Sequence, residues 1–268
     1  MTVPRLSQLG IRSVVLFYLT FLLLLPVAMV FYRAFEDGFG VAWDTVTSEQ
    51  GIHALQLTLT TVAIAVPLNT IFGVLAALVL VRQNFRGKAI LNSLIDIPFA
   101  ISPVVIGLSL VLLYGPRDTA VGQWFFQHGI LIIFSTPGIV IACIFVSLPF
   151  VVREVVPVLH EIGDEQEQAA KTLGANWWQT FRRVTLPAIR WGVTYGVVIS
   201  TARVLGEFGA VSVVSGKVIG ETETLPLFVR QQFETFNGAG GYASALVLAV
   251  LALLTLVLMN LINRRKEN

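Results

Sequence analysis

Apolar residues in this chain gather into six segments of roughly 20 residues, parted by polar stretches, and nowhere alternate with the two-residue period of a strand. The segments run from about Val14 to Tyr32, Ala54 to Val81, Ala89 to Tyr114, Ile130 to Val152, Trp191 to Val214 and Ala243 to Ile262. Each is long enough to cross a hydrocarbon core of about 30 Å as a helix. The pattern predicts an all-α, polytopic membrane protein with six transmembrane helices. Pro26 is expected to kink the first span, the second is long enough to tilt or to extend past the bilayer, and the fourth is interrupted by Pro137 and ends near Pro149. The first segment ends in FYRAFED and not in a small-residue cleavage site, so it reads as a retained helix.

Between the fourth and fifth segments lies the one long stretch dense in charge, Glu161 to Pro187. Asp164 followed by Glu167 has the spacing of a capping box, and Gly174 supplies a left-handed stop. Asn176 and Gln179 repeat the start signal, and Pro187 is expected to end the second helix. The stretch predicts a short helix, a glycine turn and a second short helix. Such a hairpin is either an ordinary connection between spans or a rigid element that docks on a soluble partner and passes on its movement.

Charge sets the expected orientation. With both termini in the cytoplasm, Arg5, Arg12, Arg82, Arg86, Lys88, Arg153, Lys171, Arg182, Arg183, Arg190, Arg264, Arg265 and Lys266 fall inside, against Arg33, Arg117, Lys217 and Arg230 outside. The hairpin then faces the cytoplasm. Residues 1–13 read as an N-terminal tail and 14–268 as the transmembrane domain, with the hairpin loop at about 153–190.

Composition removes several functional classes. The net charge of +2 and the lack of a basic cluster with interleaved aromatics argue against a nucleic-acid partner. The single cysteine, Cys143, sits in an apolar run and reads as buried and inert, and the three histidines have no ligand spacing, so no metal site is expected. No stretch matches G-x-x-x-x-G-K-[ST], so the chain is not expected to hydrolyse ATP, and no Ser/His/Asp set suggests an enzyme.

Ionisable groups within the spans are few, which makes each a candidate. Arg203 and Glu207 lie four residues apart on one helix face, beside Gly206, Gly209 and Ala210, which allow close helix approach. The pair reads either as an anion path lined by Arg203 and held by Glu207 or as a structural ion pair. In the third span, Ser102 before Pro103 is a helix-start signal at membrane depth, and Asp96 before Pro98 resembles another. Either the helix breaks there and presents free amides to an anion, or the prolines only kink it. The segment from Ser215 to Tyr242 contains a candidate external helix that lies on the membrane surface or caps the outer mouth. Trp124, Phe125 and Phe126 mark an interfacial anchor in the loop before the fourth span.

The hairpin resembles the cytoplasmic E-A-A motif of bacterial ABC-importer permeases: Gln168-Ala169-Ala170, Gly174, then Val184 and Leu186-Pro187 keep every spacing, with Gln168 where the family usually has Glu and Val184 where it has Ile. LIDIPFAISPVVIGLSLVLLYG, TARVLGEFGAVSVVSG and GETETLPL are similar to the sulfate/thiosulfate permeases, and the tail from VSG through TLPL is more similar to the W-type subunit. The resemblance implies the ABC-importer permease (MetI-like) fold in a bacterial inner membrane, with a cytoplasmic coupling-helix hairpin. It implies that Glu165, Glu167, Gln168, Ala169, Ala170, Gly174, Leu186 and Pro187 meet the ATPase, with the contact that Gln168 lacks either weaker or taken over by Glu165 or Glu167. It also implies a T-type permease partner, a cytoplasmic ATPase dimer that binds ATP and Mg, and an external sulfate/thiosulfate-binding protein. Molybdate and tungstate permeases carry a similar RxLGEFGA-like segment, and an ATPase-independent secondary anion transporter is the rival from another class.

Overall fold

The computed structural model describes residues 5–116 and 119–267, and every regular element among them is helical. α1 (Arg5–Leu19) passes through a π-helical turn (Thr20–Leu24) into α2 (Leu25–Ala34). The turn is closed by the Leu25 amide on the Thr20 carbonyl, just before Pro26. A widened ladder thus precedes the one residue that has no amide to give. The helix begins at Arg5, within the stretch expected to be a tail. Arg117 of the orientation count lies outside the described residues.

After the short α3 (Phe39–Val46), α4 (Glu49–Arg82) runs for 34 residues, about 50 Å at 1.5 Å per residue. It overshoots the hydrocarbon core, as its length in the sequence suggested. Ser48 starts it by accepting a bond from the Gly51 amide at 3.1 Å, and Ala54, Leu57, Thr61, Ala65, Asn69, Gly73, Ala77 and Leu80 form its buried stripe at three- and four-residue steps.

The third span is broken. α5 (Lys88–Ala100) and α6 (Pro103–Tyr114) meet at 112° across Ile101 and Ser102. α7 (Ala120–Gln127) then exposes Trp124 and Phe126, while Phe125 turns inward against Tyr114. α8 (Thr136–Ile162) differs from the expected fourth span at both ends: Pro137 lies in its first turn, and the helix continues through Pro149 and Pro157 to the start of the charged stretch. At its first turn a proline lacks nothing, because those amides have no partner within a helix.

α9 (Glu165–Thr172) and α10 (Trp177–Thr180) form the hairpin, and a second π-helical turn (Phe181–Thr185) joins α10 to α11 (Leu186–Leu205). Pro187 therefore does not end the second helix; it sits in the first turn of α11, and the helix continues from Trp177 to Leu205. The Leu186 amide reaches back to the Phe181 carbonyl, the same five-residue closure that precedes Pro26. α12 (Val211–Val214), α13 (Leu225–Glu234) and α14 (Gly238–Glu267) complete the chain.

Among the described residues, four helices are long and apolar enough to cross a membrane, and the bent α5–α6 pair would be a fifth. The predicted fifth span, now α11, has the length but is diluted by Arg190, Thr194, Ser200, Thr201 and Arg203. It packs against α4, α8 and α14, so its polar residues need not face lipid. One core cluster around Ile106, Ile133, Cys143 and Val211 lies beside the α11–α12 junction; a second around Val151, Val155, Leu159 and Ile189 lies toward the hairpin. Cys143 is buried, as expected. α13 does not simply lie on a surface: Leu225 and Phe228 are buried against Ala54 of α4, and the Leu225 amide donates to Thr58 Oγ1 at 2.8 Å.

Candidate functional site: a riveted hairpin and a broken-helix junction

The hairpin is held by Arg82, the last residue of α4. Its Nε donates to Glu167 Oε2 at 3.0 Å, its Nη1 to the Leu159 carbonyl at 3.1 Å, and its Nη2 to the Gly163 carbonyl at 2.6 Å and to Glu167 Oε1 at 3.2 Å. Thr185 Oγ1 donates to the same Glu167 oxygen at 2.8 Å. One guanidinium thus joins the end of α4, the end of α8 and the first turn of α9, while the carboxylate it holds reaches the π-helical turn. Arg and carboxylate in this forked arrangement make directional, charge-assisted bonds.

The first capping box does not form. Asp164 occupies the N-cap position with φ −119° and ψ 4°, not the extended backbone of an N-cap, and its side chain makes no cap bond, while the Glu167 side chain that would have reached back is turned toward Arg82 and Thr185. The second box does form: Asn176 Oδ1 accepts from the Gln179 amide and Gln179 Oε1 from the Asn176 amide, both at 2.9 Å. Gly174 between them has φ +83° with open space around it, the left-handed turn the sequence called for.

The predicted coupling residues separate into two groups. Glu165, Gln168, Ala169, Leu186 and Pro187 are exposed and Ala170 is half-buried, and Ala169, Ala170 and Pro187 line one groove of about 660 Å³ together with Leu173, which is 88% exposed. Glu167 is only 14% exposed and already bonded, which leaves Glu165 as the free carboxylate beside Gln168. Arg82 and Thr185 were missed as site residues. The sequence offered only their positions, the first cation of a short basic loop at the end of a span and a hydroxyl two residues before Pro187.

At the other site, Arg203 and Glu207 bracket the end of α11. Arg203 Nη1 lies 2.6 Å from Glu207 Oε2, close but off the line of a hydrogen bond, so the contact is an ion pair. Glu207 Oε1 accepts from the Ala210 amide at 2.7 Å and so starts the next short helix. The Glu207 side chain is 1% exposed and that of Arg203 29%, so the acid is fixed and the cation keeps an open side.

The start of α6 is packed on this junction. A Cβ on Gly209 would lie 2.9 Å from Pro103 Cβ and 3.5 Å from the Val104 amide nitrogen, so only glycine permits the approach. Gly206, by contrast, is exposed and contributes nothing to it. Ser102 stands at the N-cap of α6 as expected, exposed and with no side-chain cap bond. Asp96 does not start a helix; it lies inside α5 and pairs with Arg153 of α8, whose Nε is 2.8 Å from Oδ1 and whose Nη2 also reaches Asn92 at 3.1 Å and Asp96 Oδ2. Beyond the junction, the Arg230 guanidinium lies 5.8 Å over the Phe208 ring.

Outside the spanning helices, Glu223 in the loop before α13 is 4% exposed with Oε2 unpartnered, and burial raises its carboxyl from the usual 4.5 to about 7.

Comparison with known proteins agrees with this architecture. The chain is 53% identical to the sulfate transport system permease protein CysW of Synechocystis sp., over 94% of this chain and 91% of that one. It is 38% identical to the sulfate transport system permease protein CysT of Escherichia coli, over 89% and 87%. A crystal structure of a bacterial ABC transporter involved in the import of the polysaccharide alginate superposes with a TM-score of 0.79 at 19% identity, covering 97% of this chain and 95% of that one, a likeness of fold. The family model described as the binding-protein-dependent transport system inner membrane component matches residues 69–268. The chain belongs to that family of inner-membrane transport components.

Proposed function

We propose that this chain is the W-type permease of an ATP-driven importer for sulfate and thiosulfate. It pairs with a T-type permease, rests on a cytoplasmic ATPase dimer that binds ATP and Mg, and receives its anion from an external binding protein. Both termini and the hairpin face the cytoplasm, and the chain itself catalyses nothing. The names of its relatives support the substrate. The observation that carries the oxyanion reading is Arg203: a cation at membrane depth whose counter-ion is fixed by the Ala210 amide and whose open side remains available. Beside it stands the start of a broken helix, whose free amides suit the same charge.

In this reading Glu165, Gln168, Ala169, Ala170, Gly174, Leu186 and Pro187 form the face that the ATPase pushes, and Glu167 transmits the push to α4 through Arg82. Arg203, Glu207 and Ser102 line the anion path. Cells lacking the chain are expected to regain uptake of labelled sulfate when it is returned, with excess thiosulfate competing. Uptake that persists without an ATPase and collapses with the proton gradient would replace this reading by a secondary transporter, and block by low molybdate alone would change the substrate.

A further inference from the structure

Between the end of α4 and the hairpin lies a half-enclosed cleft of about 290 Å³ that the coupling role leaves unused. One wall is apolar, made by Leu75, Leu78 and Val79 of α4 and by the stacked rings of Trp177 and Phe181, 5.7 Å apart. The other end is polar: Arg82, Lys171 and Thr180. Ile71, Leu75, Leu78 and Arg82 follow one another at helical steps, and Ile71 and Leu75 are exposed, so an apolar track along α4 leads into the cleft and ends at the cation.

Two details select the kind of occupant. Arg82 and Glu167 neutralise one another, which leaves Lys171 as the uncompensated charge, a single positive charge. Thr180 is 5% exposed and its hydroxyl has no hydrogen-bond partner, although threonines in helices commonly bond back to the preceding turn. The cleft therefore offers one cation, one unsatisfied hydroxyl and a greasy approach, which is the complement of a single phosphodiester bearing acyl chains.

We propose that the cleft binds an anionic phospholipid of the inner leaflet, with its phosphate at Lys171 and Thr180 and an acyl chain along Leu75 and Ile71. This rests on the cytoplasmic placement of the hairpin but not on the substrate. A lipid seated there would wedge the hairpin against α4 beside the Arg82 rivet, so membrane composition would tune coupling.

The test uses the purified full importer. Native mass spectrometry is run after exposure to phosphatidylglycerol or phosphatidylcholine with the same acyl chains, and a photoreactive phosphatidylglycerol maps the contact. Preferential retention of phosphatidylglycerol is expected, lowered about fivefold by Lys171→Gln, lowered also by the isosteric Thr180→Val, and with label on the peptide spanning 175–185. Equal retention of the two lipids, retention unchanged in Lys171→Gln, or label confined to the ATPase would overturn the proposal. So would displacement by glycerol phosphate, which would make the ligand a soluble phosphate. Sulfate uptake enters none of these readouts, so failure here is distinct from failure of the transport reading.

Discussion

Two arginine–glutamate pairs sit at opposite ends of the helix core, and they are built differently. Arg82 and Glu167 are 85 residues apart in sequence, and with three further partners they close a network that ties α4, α8 and the hairpin together. Arg203 and Glu207 are four residues apart on one helix, and only the acid is fixed by a second bond. The first arrangement divides the Arg82 donors between two backbone carbonyls and the Glu167 carboxylate, and Thr185 adds a further bond to that acid. The second leaves a cation with an open side. A rivet and an anion contact use the same two residue types, and the number of satisfied partners separates them.

The comparison breaks first at the rivet. Glu167→Ala leaves Arg82 largely buried with two carbonyls and no counter-charge, and such a loss costs about 3–5 kcal/mol. Thermal unfolding of the purified permease should fall by roughly 10 °C, with ATPase stimulation lost alongside. A variant that unfolds like the parent would mean that the network does not hold the hairpin.

Glu223 sharpens the contrast, being an acid buried without a cation. Its raised value means that the native state holds the proton more tightly than the unfolded chain does. The stabilisation is present below about pH 4.5 and is lost as the pH rises toward about 7. Wild-type stability should fall across that window by no more than about 3 kcal/mol, and Glu223→Gln should flatten the profile. A slope unchanged in the variant would assign the titration to another group.

Gly174→Val tests the hairpin without touching either pair. A β-branched residue at φ +83° costs about 1–3 kcal/mol, and nothing nearby adds a clash. The expected result is an assembled complex whose ATPase activity no longer responds to transport substrate; intact coupling would remove the lever from this turn.

How much of this was legible in the sequence depends on the range of each interaction. Gly174, the Asn176–Gln179 box and the Ser102–Pro103 start are local, set by residues within one turn, and each appears where its spacing placed it. Pro187 misled because a π-helical turn, invisible to residue spacing, lets the helix take a proline without ending. The Asp164 box failed on both sides, because Asp164 lacks the extended backbone of an N-cap and the Glu167 side chain had a better partner from a helix that ends 85 residues earlier, as Asp96 was claimed by Arg153 across 57 residues. Local signals say what a segment prefers when nothing else competes; long-range charge pairing was the competitor here.

The smallest change in stability is expected from the variant that matters most for transport. Arg203→Ala alone strips a buried carboxylate of its cation, so lost flux could reflect a damaged junction. The double substitution Arg203→Met with Glu207→Gln removes both charges at nearly constant volume, and the glutamine oxygen can still accept the Ala210 amide that starts α12. Replacing a buried ion pair by neutral groups of similar shape is often neutral or stabilising, so assembly and unfolding temperature should stay within about 2 °C of the parent. If Arg203 serves only to hold its helix, sulfate uptake will survive in that protein. If it meets the anion, uptake should fall by about tenfold or more, the loss of one charge-assisted contact of 1.5–3 kcal/mol, and ATPase coupling through the hairpin should remain intact because the Arg82 network is untouched.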